Sequence, residues 1–149
     1  KGRGVMNEWK TPLKEIKIGK GRKIRDGRDI AILTLGHPGN YAVTATAALE
    51  QENISAAHYD LRFLKPLDEE LLHEVFRNFS QIITVEDGTI QGGMGSAVLE
   101  FMADHGYHAK VVRLGIPDRF IEQGSVTELH RECGFDAEGI ITNIKNIIE

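Results

Sequence analysis

From Asp29 onward, short apolar runs alternate with segments whose apolar residues recur every three or four positions. Ile30-Ala31-Ile32-Leu33-Thr34-Leu35 is nearly continuous in apolar character and ends at Gly36. Such a run predicts a strand buried on both faces, as in a parallel sheet. After a Gly/Pro/Asn turn, the Ala-rich segment Tyr41 to Gln51 reads as helix, and Ile54 to Leu61 as a second strand. Asp68 is placed to cap a helix over Glu69 to Phe79, with two acidic residues in the first turn, where the helix dipole favours them. Leu71, Leu72, Val75, Phe76 and Phe79 form its apolar stripe.

Gln81 to Glu86 predicts a third strand. A glycine-rich turn, Gly88 to Gly95, then leads into a helix over Ser96 to His105. Ala109 to Leu114 predicts a fourth strand, and Gly115 to Gly124 a loop. Ser125 and Glu128 have the spacing of a capping box, opening a helix that runs to Cys133 and stops at Gly134. Asp136 is placed to cap the last helix, Ala137 to Ile148, whose five isoleucines fall on one face.

Residues 1–28 differ: they are rich in Gly, Lys and Arg and carry no helical period. Within them, Ile16 to Ile24 alternates apolar and polar residues, predicting a short edge strand, and Asp26-Gly27 is a turn signal. Strands alternating with helices predict an α/β fold. The expected architecture is a three-layer α/β/α sandwich around a mostly parallel sheet of about five strands, one edge strand being free to run antiparallel. The expected division is an arm from an upstream domain over 1–28, including that edge strand, and one α/β domain over 29–149.

The chain's 149 residues suit one domain. Its net charge of −4 lacks the basic footprint of a nucleic-acid or anionic-membrane binder. A single cysteine, Cys133, excludes an internal disulfide and fits a reducing cytoplasm. No apolar run approaches the roughly 20 residues of a membrane-spanning helix, and no signal peptide is expected. A chain opening at Lys1 rather than Met is expected to be part of a longer polypeptide.

Candidate chemistry is sparse. Gly92-Gly93-Met94-Gly95-Ser96 opens a helix after a strand, where backbone amides can hold an anion. It lacks the lysine of a phosphate-binding loop, so tight packing is the alternative. Glu86 and Asp87 lie at a strand's carboxyl end, where α/β proteins gather ligands. They suit metal binding or proton transfer, or else acceptance of hydrogen bonds from the glycine turn or a salt bridge to a neighbouring subunit. Asp60, Arg62, Lys65 and Asp68 surround Pro66 and read as an architectural strand-to-helix turn fixed by an Arg–carboxylate pair, an exposed phosphate-binding site being the alternative. The six histidines have no metal-ligand spacing, so no metal site is expected, although His37 at a strand end is in reach of a ligand. No self-contained catalytic set is present.

Asp60-Leu61-Arg62-Phe63-Leu64-Lys65-Pro66-Leu67-Asp68 resembles a segment of transketolase-like carboxyl-terminal domains, also found in 2-oxo-acid dehydrogenase beta subunits. Val85-Glu86-Asp87-Gly88 followed by Gly92-Gly93-Met94-Gly95-Ser96 resembles the same group's glycine turn. Two further stretches, Leu114-Gly115-Ile116-Pro117-Asp118-Arg119-Phe120-Ile121-Glu122-Gln123-Gly124 and Gly134-Phe135-Asp136-Ala137-Glu138-Gly139-Ile140, are similar to 1-deoxy-D-xylulose-5-phosphate synthases.

That resemblance implies the carboxyl-terminal scaffolding and dimerisation domain of a cytoplasmic, homodimeric enzyme. Such enzymes condense pyruvate with glyceraldehyde 3-phosphate, release CO2, use thiamine diphosphate and Mg2+, and feed the non-mevalonate isoprenoid route. Cofactor-binding and catalytic groups belong to the two upstream domains of the same polypeptide, so no catalytic residue and no cofactor are expected on this chain. Lys1 or Arg3 is the expected counterpart of a family arginine that contacts substrate phosphate. Asp60, Arg62, Pro66, Asp68, Glu86, Asp87, Gly92, Gly93, Gly95, Pro117 and Asp118 carry family motifs and are expected to be structural or interfacial. The alternatives are the same domain of a transketolase or an oxo-acid dehydrogenase beta subunit, or a non-catalytic anion-binding module.

Overall fold

A computed structural model describes residues 14–148. The elements, in chain order, are β1 (Arg22–Arg25), β2 (Ile30–Leu35), α1 (Gly39–Gln51), β3 (Ala56–Asp60) and α2 (Glu69–Asn78). They continue as β4 (Gln81–Thr89), α3 (Met94–Asp104), β5 (Lys110–Ile116), α4 (Val126–Glu132) and α5 (Ala137–Ile148). The five strands form one sheet in the order β1-β3-β2-β4-β5. β2, β3, β4 and β5 run parallel, and β1 pairs antiparallel with β3 at the edge. This is the three-layer, mostly parallel architecture read from the alternation of strands and helices.

The central strand shows why a continuous apolar run was needed. Ile30 and Ile32 face a core formed with α1 and α5, including Leu49, Phe135, Ile140 and Ile144. Ala31 and Leu33 face the opposite core with α2 and α3, including Leu72, Val75, Val98 and Phe101. All four strand residues are fully buried, so both faces of β2 must be apolar. Replacing any of the large ones by alanine would leave a cavity on one face and cost roughly 2–5 kcal/mol.

Several element boundaries differ by a few residues from those expected, and β5 runs on to Ile116, inside the segment expected to be a loop. β1 begins at Arg22 rather than Ile16, because Gly19 adopts φ +76° and Lys20 N–H bonds back to the Lys17 carbonyl, turning the chain before it can pair. Gly27 is required by close approach: a Cβ there would lie 2.1 Å from the Ala57 nitrogen. β4 in turn extends past Glu86 to Thr89, which pairs with Ile116 after an irregularity in register.

β1 presents its residues largely to solvent. Its cations are paired inward: Arg22 with Asp60 at 3.0 Å, Lys23 with Glu74 at 2.7 Å and Arg25 with Glu50 at 2.6 Å. The helix caps match their residues. Asp68 accepts from Leu71 N–H, and Ser125 and Glu128 form a reciprocal capping box. Gly134, at φ +72°, follows α4. Among the described residues no helix is long and apolar enough to cross a membrane.

Candidate functional site

Strand order fixes where a ligand can sit. From β2 the chain moves to β3 on one side, then crosses to β4 on the other. The carboxyl ends of β2 and β4 therefore flank the topological switch point, the usual crevice for ligands in open α/β sheets. A cleft of about 840 Å3 opens there, lined by Gly36, His37, Asp87, Ile116, Leu129 and His130 among others.

The glycine turn lies beside this crevice and is filled from within. Glu86 is buried and accepts hydrogen bonds from the backbone N–H groups of Met94 at 2.7 Å and Gly95 at 2.9 Å. The carboxylate thus caps the first turn of α3, where the helix dipole favours negative charge. Gly93 must be glycine, because a Cβ would stand 2.2 Å from the Thr89 carbonyl oxygen and 2.3 Å from Glu86 Oε2. At Gly95 a Cβ would meet Thr84 Oγ1 at 2.6 Å. Gly92 takes φ +74° and donates its N–H to Ser96 Oγ. Arg113 of β5 reaches across to Ser96 Oγ at 2.9 Å and to the Ile90 carbonyl, tying the turn to the sheet. The glycines of this turn are closely packed, and the amides that open α3 are taken up by Glu86.

The second motif builds the turn from β3 to α2. Asp60 accepts from the Arg62 backbone N–H at 3.1 Å, and Arg62 sits at φ 59°. The guanidinium that pairs with Asp60 is Arg22's, from β1, in place of the Arg62 pairing expected from the sequence. Pro66 follows a cis peptide bond. Asp68 is buried and does three things: it caps α2, accepts from Gly21 N–H at 2.9 Å and pairs with Lys20 at 3.4 Å. Asp68→Ala is expected to lower stability by about 2 kcal/mol, the sum of a lost cap and a stranded Gly21 donor. Urea denaturation checks this; a loss below 0.5 kcal/mol would mean water replaces the carboxylate freely.

The third group was not legible as a group. His37 follows β2, Asp87 lies in β4 and His130 in α4. His37 Nδ1 is 3.6 Å from Asp87 Oδ2, and His130 Nε2 is 3.9 Å from Asp87 Oδ1. His130 is buried, packs on Phe135 and shares a 3.0 Å hydrogen bond between Nδ1 and the Tyr41 hydroxyl. The His37 and His130 rings stack at 5.1 Å. Burial raises the thiol pKa of Cys133, which lines the same cleft, keeping it protonated. Pro117 and exposed Asp118 begin the 117–125 loop beside the cleft, and Arg119 ties that loop to α4 through Glu132 at 3.3 Å. Lys1 and Arg3 lie outside the described residues. Sequence reading missed Tyr41, Arg113 and His130 because their partners are far away in the chain, and none stands in a spaced motif.

Residues 19–140 match the family described as "Transketolase, C-terminal domain". A 1-deoxy-D-xylulose-5-phosphate synthase of Cytophaga hutchinsonii is 60% identical over 147 residues, covering 99% of this chain and 23% of the relative. That of Bacteroides thetaiotaomicron is 62% identical over 141 residues, covering 94% of this chain and 22% of the relative. The chain therefore spans about a quarter of the length of these curated relatives. Among solved structures, one described as "Split gene transketolase, inactive beta4 tetramer" superposes with a TM-score of 0.86 at 31% identity, covering 95% of this chain and 46% of that one. With motifs, sheet order and matched span in agreement, the chain belongs to the transketolase C-terminal domain family.

Proposed function

We propose that this chain is the carboxyl-terminal domain of a thiamine-diphosphate-dependent 1-deoxy-D-xylulose-5-phosphate synthase, acting as its scaffold and dimerisation layer. The observation that carries this reading is 60% identity to such a synthase across 99% of the chain. The parent enzyme joins pyruvate to glyceraldehyde 3-phosphate with loss of CO2, in the cytoplasm, as a homodimer. Thiamine diphosphate and Mg2+ bind the upstream domains, and the cofactor supplies the carbanion chemistry. Residues 1–28 serve as the arm from those domains, and 29–149 as the layer they pack on. Lys1 or Arg3 contributes the contact to substrate phosphate.

The assignments of Asp60, Arg62, Pro66, Asp68, Glu86, Gly92, Gly93 and Gly95 are architectural: these residues shape two turns at the carboxyl end of the sheet. Asp87, Pro117 and Asp118 belong to the surface that meets the rest of the enzyme. Phe120 supports this placement, being fully exposed on the loop that follows Pro117 and Asp118. A large aromatic side chain held in water loses roughly 1.5–3 kcal/mol of burial that a partner surface would supply.

The test compares the parent polypeptide with the isolated chain. With thiamine diphosphate, Mg2+, pyruvate and glyceraldehyde 3-phosphate, the parent is expected to release CO2 and the chain alone to release none. A parent lacking residues 29–149 is expected to lose its dimer and its turnover. A truncated parent that stays dimeric with normal turnover would refute the scaffolding role. CO2 release by the isolated chain would place the catalytic groups where no assignment here puts them.

A further inference from the structure

His37, Asp87 and His130 come from three separate elements and meet at the switch point of the sheet, with the three potential donor atoms all within 4.8 Å of one another. We propose that they form a binding site for a divalent d-block cation, Zn2+ in the first place, held by His37 Nδ1, Asp87 and His130 Nε2, with a fourth position open to the cleft.

Spacing is the first argument. The nitrogen–oxygen separations are 3.6 and 3.9 Å. Direct charge-assisted hydrogen bonds would draw these pairs to about 2.7–2.9 Å. Two ligand atoms on one tetrahedral zinc, at bond lengths of about 2.0–2.2 Å, stand about 3.4 Å apart. The widest separation among the three donor atoms is no more than 4.8 Å, so the side chains close by at most about 1.4 Å on taking up the ion.

Chemistry is the second argument. Two imidazoles and one carboxylate form a borderline-soft N2O set that suits zinc, and Asp87 offsets half of the ion's charge. Three protein ligands with a fourth position left for water or a small molecule is the arrangement of open zinc sites.

Preorganisation is the third. A metal-bound histidine usually has its other ring nitrogen held by a hydrogen-bond partner, which fixes tautomer and orientation. His130 has that partner in the Tyr41 hydroxyl, 3.0 Å from Nδ1. When Nδ1–H donates to the Tyr41 oxygen, the Nε2 lone pair faces Asp87. The His130 ring is held further by Phe135, at 4.6 Å between centroids. Ile116, Ile121 and Leu129 line the same cleft and give it an apolar wall. The histidine spacings in the sequence give no sign of this site, because the ligands are contributed by two strand ends and a helix.

This inference stands apart from the synthase reading, and its test needs no catalytic assay. The metal-stripped chain is titrated with ZnCl2 by calorimetry, and with Co2+ by visible absorption. The wild-type chain is expected to bind one equivalent of Zn2+, and its Co2+ form to show the intense bands of four-coordinate geometry. His37 is partly exposed, so His37→Ala is expected to keep the fold, verified by circular dichroism, while weakening Zn2+ binding tenfold or more. Tyr41→Phe is expected to weaken it several-fold without removing a ligand. His108→Ala, outside the cluster, is expected to leave binding unchanged. Absence of Zn2+ binding by the wild-type chain, or binding by His37→Ala equal to wild type, would overturn the proposal.

Discussion

Replacing Glu86 by alanine is expected to destabilise the chain by about 3–5 kcal/mol, more than any other single polar substitution in the sheet. The carboxylate is 5% exposed and satisfies two backbone donors at once, Met94 N–H and Gly95 N–H. Hydrogen bonds to a charged group contribute roughly 1.5–3 kcal/mol each, and removing the acceptor strands both donors away from water. The favourable interaction with the helix dipole is lost too. Glu86→Gln retains the shape and one acceptor oxygen but sets an amide N–H against a backbone N–H, so it should cost about 2 kcal/mol. Urea denaturation of the three proteins checks the order wild type, Gln, Ala. A loss below 1 kcal/mol for the alanine variant would show that solvent reaches the first turn of α3 and that the glycine turn does not depend on this residue.

The second large effect is a pH dependence. His58 is 1% exposed, bonds Thr34 Oγ1 at 2.9 Å, and burial pushes its pKa down from 6.5 to about 4. The neighbouring Asp60 opposes that shift and Arg22 adds to it, but desolvation is the largest cause. A depressed base is neutral in the folded chain at pH values where the unfolded chain is already protonated. Between pH 6.5 and about 4 the unfolded state binds the extra proton. Stability from this group is therefore full above pH 6.5, falls as pH drops through the window, and changes no further below about 4. The difference amounts to roughly 3 kcal/mol. His58→Leu removes the titration and leaves Thr34 Oγ1 its bond to the Tyr59 carbonyl. Unfolding free energies at pH 7.5 and 4.5 should therefore differ less in the variant than in the wild type. Equal losses in both would assign the acid sensitivity to other groups.

The sequence made most of the fold visible where one side chain does one local job. β2 showed as an apolar run because helices cover both of its faces. Asp68, Ser125 with Glu128, and Gly134 showed helix ends because capping is decided within a few residues. Glu86 was readable as a partner for the glycine turn because donor and acceptor lie eight and nine residues apart. Legibility ended where pairing was distant. The partner of Asp60 comes from β1, and no pattern within the 60–68 motif names Arg22 over Arg62. β4 continues through Asp87-Gly88-Thr89, a composition that reads as turn, because Ile116 on β5 supplies a neighbour late in the strand. The His37, Asp87 and His130 cluster depends wholly on strand order, which gathers residues whose sequence neighbours carry no metal-ligand spacing.

The edge strand has a consequence for life in a crowded solution. An uncovered strand is a template on which another chain can lay its own backbone. Among the described residues β1 occupies that position with Arg-Lys-Ile-Arg, and each of its three cations is already held by an acidic partner on the same domain. An incoming strand would have to lie beside this row of charged side chains, which disfavours its pairing. The four residues that close the sheet thus also act as a guard against aggregation, keeping one copy of the domain from being extended by the next.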